Sequence, residues 1–160
     1  MKRIFLVIFS FFALLMTGCP AHDHFSWRIL NNASYDIYVW YEIILPKHLY
    51  PDTTLCFGNR QKITRIVKSN SSYKDIDKIR LSEFIRQNTP NDTLSFFFFH
   101  ADTIEKYPLE IIQRDYSILR RYDLSSQDIV TLSNQYGVPE IPYPPNDRMR
   151  NMKMWPPYGQ

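Results

Sequence analysis

The sequence predicts a single α+β domain built on a mixed, mostly antiparallel sheet with two to three helices. Three observations support this fold class: alternating apolar residues along residues 35–45, four consecutive phenylalanines at 96–99, and a strand–helix–strand–helix order from residue 93 to residue 136. Residues 25–143 are long enough to enclose a core, so we expect one globular domain there.

The domain opens with two predicted strands that we expect to pair as a β-hairpin. Apolar residues alternate along residues 25–30 and again along residues 35–45. Residues 31–34, between them, read Asn-Asn-Ala-Ser, which are turn-forming types. The second strand has one apolar face, and its other face carries a mixed polar and aromatic set: Asp36, Tyr38, Trp40 and Glu42.

The middle of the chain predicts a loop followed by short elements. Residues 46–58 contain turn-forming residues around a Tyr-Pro-Asp sequence. Residues 64–68 and 73–76 predict two short strands, and apolar residues at helical spacing over residues 79–85 predict a brief helix. Consecutive phenylalanines within residues 93–100 then predict a strand that is buried on both faces.

The second half predicts two helices separated by a strand. A helix is predicted over residues 104–116 and a strand over residues 117–122. Ser125 is placed to cap the next helix, which ends before Gly137, and Asp128 occupies the capping-box position. The alternation of strand and helix predicts a crossover unit within the sheet.

The end of the chain differs in composition from the rest. Six prolines lie beyond residue 138, and three methionines stand among basic residues near the end. Proline has no amide hydrogen and a fixed φ, so it interrupts regular structure. We therefore expect residues 144–160 to form an extended Pro- and Met-rich tail outside the globular domain.

The first residues have the organisation of an export signal. Lys2 and Arg3 precede an apolar run over residues 4–16 that is interrupted only by Ser10, and small residues follow. The run is shorter than the about 20 residues that a membrane-spanning helix needs. Residues 1–18 are therefore predicted to be a signal peptide.

The end of this signal resembles the lipobox of bacterial lipoproteins. Leu15-Met16-Thr17-Gly18-Cys19 matches it at Gly18 and Cys19, while the leucine stands one place further from the cysteine than usual and Met16 takes its position. The resemblance implies a diacylglyceryl thioether on Cys19, cleavage before it, and acylation of the new amine by a fatty acid such as palmitate. Residues 19–24 would then be a lipidated tether. The alternative is an ordinary secretory signal followed by an incidental cysteine.

A second resemblance lies in the folded part. Residues 98–132, above all Ile118-Leu119-Arg120-Arg121-Tyr122-Asp123-Leu124-Ser125, look like a block found in uncharacterised lipoproteins of gut-dwelling Gram-negative bacteria. This resemblance covers about a quarter of the chain. It implies membership of an envelope lipoprotein family and no particular activity.

The net charge and the residues after Cys19 limit the classes of partner and the location that we expect. Removal of Lys2 and Arg3 with the signal takes two of the 19 basic residues, against 16 acidic ones, so the mature chain is close to neutral and predicts no nucleic-acid partner. Pro20 follows the cysteine in place of the aspartate that resembles an inner-membrane retention signal, which favours the outer membrane. No acidic cluster follows Cys19, which favours a periplasm-facing position over the cell surface.

The polar and aromatic face of the second strand is a candidate glycan-binding surface. Tyr38 and Trp40 share that face with Asp36 and Glu42, and flat rings beside carboxylates can stack on sugars and accept hydrogen bonds from hydroxyls. The alternative is that a helix covers this face and the aromatic residues belong to the core.

Three threonines are candidate O-glycosylation sites. Thr53, Thr93 and Thr103 each follow an aspartate, in a pattern similar to the Asp-Thr/Ser-apolar acceptor that some gut-dwelling Gram-negative bacteria modify on exported proteins. Each match also has a structural explanation, because the three aspartates are at predicted turns or a helix start.

The sequence shows no recognisable catalytic or metal-binding motif. The sequence contains no serine elbow, zinc-binding helix or glycine-rich phosphate loop, and we expect no cofactor and no metal. The leading hypothesis is a membrane-anchored envelope lipoprotein with a non-enzymatic binding or structural role toward an envelope partner. The alternative is an accessory lipoprotein that binds or processes glycans.

Overall fold

A computed structural model of the chain describes residues 25–42, 55, 57 and 62–160. Eight strands and four α-helices occur within these residues, in an order that confirms the predicted α+β class. The strands are β1 Phe25–Asn31, β2 Ile37–Glu42, β3 Arg65–Val67, β4 Ser71–Asp77, β5 Thr93–His100, β6 Arg120–Ser125, β7 Glu140–Tyr143 and β8 Lys153–Trp155. The helices are α1 Leu81–Asn88, α2 Ala101–Lys106, α3 Leu109–Asp115 and α4 Ser126–Leu132, with short 3₁₀ turns at Pro90–Asp92 and Asp147–Met149.

The strands form two sheets. A three-stranded sheet has the order β4-β1-β7, and a five-stranded sheet has the order β3-β2-β5-β6-β8. Only the β1–β7 pairing is parallel among these strands. The expected mixed, mostly antiparallel pairing is therefore present, divided between two sheets.

The predicted opening β-hairpin is wrong. β1 pairs with β4 and β7, whereas β2 pairs with β3 and β5. The turn residues between β1 and β2 take the chain from one sheet to the other. The buried Asn31 stabilises this connection: it accepts a hydrogen bond from Ala33 N and donates one to Val67 O at the end of β3. Turn-forming residue types predict a change of direction but do not say which strand comes next in the sheet.

The strand β5 lies at the centre of the five-stranded sheet. Phe96 and Phe98 face the main core, which the two sheets enclose together with α1 and α4. Phe97 and Phe99 face a second core on the opposite side, where α2 and α3 pack. All four phenylalanines are fully buried, so the prediction of a strand buried on both faces is confirmed.

The second half of the chain departs from the prediction in its helices and its connections. The expected helix over residues 104–116 is divided, because α2 ends at Lys106 and Pro108 caps a separate α3. β5 and β6 are antiparallel, so the predicted crossover unit is not formed. The capping box of Ser125 and Asp128 is confirmed at the start of α4.

The predicted extended tail is part of the fold. β8 pairs with β6 at the edge of the five-stranded sheet, and Met154 is buried in the main core. Arginine side chains hold this segment: Arg120 donates to the carbonyls of Pro156 and Gln160 at 2.7 Å, and Arg148 donates to the carbonyl of Ser133 at 3.0 Å. Proline removes a donor but keeps its carbonyl, and Arg120 uses that acceptor at Pro156.

Candidate binding cleft

A row of four polar residues crosses the second face of the five-stranded sheet. Glu42 of β2 is opposite Ser95 of β5, Ser95 is opposite Asp123 of β6, and Asp123 is opposite Lys153 of β8. Directly opposed residues point to the same face, so these side chains are neighbours across four strands. The next row along the same face contains Phe97, so the polar row marks the end of the apolar second core.

Asp123 is the most enclosed member of this row. Its Oδ1 accepts hydrogen bonds from Ser95 Oγ at 2.5 Å and from Arg121 Nε at 2.7 Å. The side chains of Arg121 and Asp123 are only 2% and 1% exposed. The Arg121 guanidinium also lies 5.5 Å from the ring centroid of Phe97, so the buried cation contacts an aromatic face as well as the carboxylate.

The second oxygen of this carboxylate is different. Asp123 Oδ2 is buried and has no hydrogen-bond donor within reach among the residues that the structure describes. Lys153 Nζ lies 4.0 Å from this oxygen, which is too long for a direct hydrogen bond. A buried charged acceptor without a donor is costly, so the ion pair with Arg121 must offset much of the cost of burying this carboxylate.

Ser95, Asp123 and Lys153 of this row line a small open space that we call the Asp123 cleft. Its volume is about 220 Å³, and it is lined by Pro90, Asn91, Thr93, Ser95, Arg121, Asp123 and Lys153. Typical pockets for drug-sized ligands are larger, about 300–1,000 Å³. The cleft therefore matches a small polar group or a single ring.

The rim of the cleft is a tight turn before β5. Asn91 and Asp92 both have positive φ, at 59° and 51°, which asparagine and aspartate tolerate better than most residues. Asp92 Oδ2 accepts a hydrogen bond from Ser126 Oγ at 2.8 Å, which ties this turn to the start of α4. Thr93 Oγ1 donates to Asn91 O at 2.9 Å. The first contact fixes the rim relative to α4, and the second holds the turn itself.

Tyr38 and Trp40 do not form the exposed glycan-stacking surface that the sequence predicted. Tyr38 and Trp40 are 9% and 8% exposed and belong to the second core, where Trp40 packs edge-on against Phe57. Tyr38 OH donates to Glu105 at 3.4 Å, and burial, followed by the charge of Glu105, raises its pKa. The alternative that the sequence left open, a covered aromatic face, is the one observed.

The two carboxylates of that predicted set lie apart. Asp36 precedes β2, where Lys68 Nζ donates to it at 2.7 Å and Ser69 N at 2.8 Å; the hydrogen bond from Lys68 is the main reason its pKa is lowered. Glu42 ends β2 and belongs to the polar row, where Trp40 Nε1 donates to it at 3.4 Å. Only Glu42 therefore lies near the cleft.

The other predicted sites are distributed along the chain. Cys19 and Thr53 lie outside the described residues. Thr93 lines the Asp123 cleft and is half-buried, and Thr103 is half-buried in the first turns of α2.

Sequence reasoning missed the residues that form the cleft floor. Ser95 interrupts an otherwise apolar strand, and Arg121 and Asp123 are two residues apart, which places them on one face of any strand. Polar residues at these positions within buried strands were the available signal. No pattern in the sequence indicated Lys153, because the strand that contains it was not predicted.

The described residues offer neither a metal site nor a membrane-spanning helix. They contain no group of three or more histidine, cysteine or acidic side chains that could hold a metal ion. They also contain no helix that is long and apolar enough to cross a membrane. No family model matches the chain, and no curated protein or solved structure shows significant similarity to it.

Proposed function

We propose that this chain is a lipid-anchored protein of the bacterial envelope whose folded domain acts by binding and not by catalysis. The observation that carries the binding role is the Asp123 cleft, an open space of about 220 Å³ whose lining is mostly polar and charged. The anchoring role comes from Cys19 and the sequence that precedes it.

The anchor accounts for membrane attachment without help from the domain. Each buried methylene contributes about 0.8 kcal/mol, and two acyl chains are enough for stable attachment. β1 begins at Phe25, where it is already paired with Asp77 of β4. The residues between Cys19 and Phe25 can span at most about 20 Å when fully extended. The folded domain is thereby held close to the membrane surface.

We place the anchor in the outer membrane, with the domain facing the periplasm. Pro20 after the lipidated cysteine lacks the carboxylate of a retention signal, and the region after Cys19 lacks an acidic cluster for surface export. In this position the domain would meet other envelope proteins and the glycans of the cell wall.

A glycan-binding or glycan-processing accessory role is the second candidate. The Asp123 cleft favours it more than the aromatic pair on β2 does, since the rings of Tyr38 and Trp40 are buried. The cleft offers a carboxylate acceptor beside the hydroxyls of Ser95 and Thr93, and sugar hydroxyls both donate and accept hydrogen bonds.

Anchoring is tested in the native host with the wild type and Cys19→Ala. A fatty-acid analogue should label the wild type and should not label the variant, which should remain an uncleaved or soluble precursor. Protease added to intact cells should leave the wild-type domain whole. Labelling that is independent of Cys19 would contradict the anchor, and digestion from outside would contradict the periplasmic orientation.

Binding at the cleft is tested by thermal unfolding in the presence of fractionated envelope extract. A ligand that binds only the folded state raises the Tm. We expect one fraction to raise the Tm of the wild type more than that of Lys153→Met. An equal shift for both proteins would place the binding site away from the Asp123 cleft.

A further inference from the structure

Exposed apolar side chains gather at one end of the three-stranded sheet. Among the described residues, the large hydrophobic side chains that stay exposed are Ile76, Tyr107, Val130 and Tyr136. All of them except Tyr107 lie around the start of β1. Ile76 is directly opposite Ser26 of β1, and Val130 and Tyr136 line a groove that also contains Phe25. We call the region around Phe25, Ile76, Val130 and Tyr136 the Phe25 surface.

The most exposed of these side chains is carried by a hydrogen-bonded turn. Tyr136 is 80% exposed. Its own N–H and that of Val138 donate to Asn134 Oδ1 at 2.9 and 3.1 Å, and Gly137 N donates to Asn134 O at 2.9 Å. Gly137 has a φ of 73°, which glycine adopts without strain. The backbone therefore holds the aromatic ring in water, where its apolar body gains by contact with a partner.

Two arginines stand beside these apolar groups. Arg80 and Arg86 are exposed, and both line an adjoining groove that shares Arg80 and Val130 with the first. The Arg80 guanidinium lies 5.0 Å from the ring centroid of Phe25. Glu83 is the one acidic residue in the lining of the two grooves, so that lining carries a small net positive charge. Exposed apolar and aromatic side chains beside arginines suit a phospholipid surface, because rings settle at headgroup level and guanidinium groups meet phosphates.

The place of this surface in the chain indicates what covers it. Phe25 is the first residue of β1, and Cys19 precedes it by six positions. A segment of that length spans at most about 20 Å when fully extended. With acyl chains on Cys19, the start of β1 stays within that distance of the membrane however the domain turns. The short tether thus keeps the Phe25 surface near the lipid.

We propose that the Phe25 surface lies against the phospholipid headgroups of the membrane that anchors the protein, with Val130 and Tyr136 at the interface and Arg80 at the level of the phosphates. The contact gives the anchored domain one orientation. Its residues are not shared with the lining of the Asp123 cleft, so the two sites are separate. This inference rests on the proposed lipid anchor and adds the face that meets the membrane.

The test anchors the mature chain chemically, so that it does not depend on lipidation in the host. The sequence has two cysteines, so residues 19–160 with Cys56→Ser keep the Cys19 thiol alone, which is coupled to a maleimide lipid. The lipid is placed in nanodiscs of phosphatidylethanolamine and phosphatidylglycerol that also carry a headgroup gadolinium chelate. Methyl NMR of isoleucine and valine then measures the broadening that the chelate causes. We expect severalfold stronger broadening at Ile76 and Val130 than at Ile111, on α3 at the other side of the five-stranded sheet.

One variant and a matched control separate contact from mere proximity. Tyr136→Asp should reduce the broadening at Val130 severalfold, because a carboxylate at this position is repelled by anionic lipid and favours water. The ring of Tyr136 is almost fully exposed, so the fold should not depend on it. Tyr107→Asp changes the exposed tyrosine that lies outside the Phe25 surface and should leave the broadening pattern unchanged. The methyl spectrum of each variant shows that it is folded.

Three outcomes would overturn the proposal. Equal broadening at Ile111 and Val130 would mean a domain that turns freely on its tether, and a pattern unaffected by Tyr136→Asp would exclude contact through this surface. Changes at Val130 that require added envelope extract would assign the surface to a protein partner. Fatty-acid labelling of Cys19 in the host tests the anchor separately, so failure of the anchor and failure of the docking surface remain distinguishable.

Discussion

Arg121 and Asp123 form an ion pair within a single strand, with Arg121 Nε donating to Asp123 Oδ1 at 2.7 Å and both side chains almost completely buried. They are two residues apart on β6, so they share one face. Ser95 donates to the same carboxylate oxygen from the neighbouring strand. The ion pair and Ser95 together therefore hold the Asp123 carboxylate from two strands.

Removing one partner of this pair should destabilise the protein strongly. Arg121→Met leaves a buried carboxylate without its cation and should lower the free energy of unfolding by about 3–5 kcal/mol. Arg114→Met is the matched control, since Arg114 also pairs with an aspartate at 2.7 Å but is exposed, and it should change stability much less. Urea unfolding followed by tryptophan fluorescence measures both. Equal effects in the two variants would contradict the buried character of the Arg121 pair.

One buried asparagine makes hydrogen bonds from the three-stranded sheet to the five-stranded sheet. Asn31, on β1, is fully buried, and its Nδ2 lies within hydrogen-bond distance of the carbonyls of Tyr35, Val67 and Lys68 at 2.8, 3.0 and 3.1 Å. Its Oδ1 accepts from Ala33 N. The side chain thus connects the three-stranded sheet to the end of β3 in the five-stranded sheet.

Replacing the Asn31 amide by a carboxylate should strongly lower the free energy of unfolding. Asn31→Asp puts an acceptor where three carbonyls require a donor, and we expect a loss of about 3 kcal/mol or more. Asn32→Asp, the exposed neighbour, is the control and should be close to neutral. Urea unfolding measures the free energy of unfolding of both variants. An Asn31→Asp protein as stable as its control would refute the role of Asn31 in connecting the sheets.

Local patterns in the sequence predicted several elements correctly. The phenylalanine run predicted the doubly buried β5, and Ser125 with Asp128 predicted the capping box of α4, because both depend on residues close in sequence. Sheet membership was not predictable in this way. β1 pairs with β7 more than a hundred residues later, and the alternation that predicts a strand does not specify its partner.

The tail and the cleft were missed for a related reason. Prolines around residues 144–157 suggested an extended segment, but three residues between them, Lys153–Trp155, suffice for an edge strand. That strand brings Lys153 to Asp123. The cleft is thus formed by a pairing of strands distant in sequence, and no local motif predicts that pairing.

Burial of the last segment gives a test of its place in the fold. Met149 is fully buried in the main core, whereas Met152, three residues later, is only half-buried against it. Met149→Ala should lower the free energy of unfolding by about 2–5 kcal/mol through lost contacts and a cavity. Met152→Ala should cost clearly less. Thermal and urea unfolding of both variants compare them, and two equally small effects would indicate a segment that does not contribute to the core.

The last prediction concerns sugar attached to the protein. We expect the mature protein from its native host to carry an O-linked glycan on at least one of the three Asp-Thr sites, with Thr53 ranked first because its predicted loop is the longest. Thr93 is half-buried at the rim of the Asp123 cleft and donates to Asn91 O, and Thr103 is half-buried in α2, so both hydroxyls are less accessible than one in an open loop.

Intact mass of the delipidated protein measures this modification directly. The wild type should be heavier than its polypeptide, and Thr53→Val should lose that increment, while Thr93→Val and Thr103→Val should keep it. A wild-type mass equal to the bare polypeptide would reject the modification at all three threonines. An increment that survives Thr53→Val would move it to Thr93 or Thr103, and the corresponding valine variants would show which of them carries it.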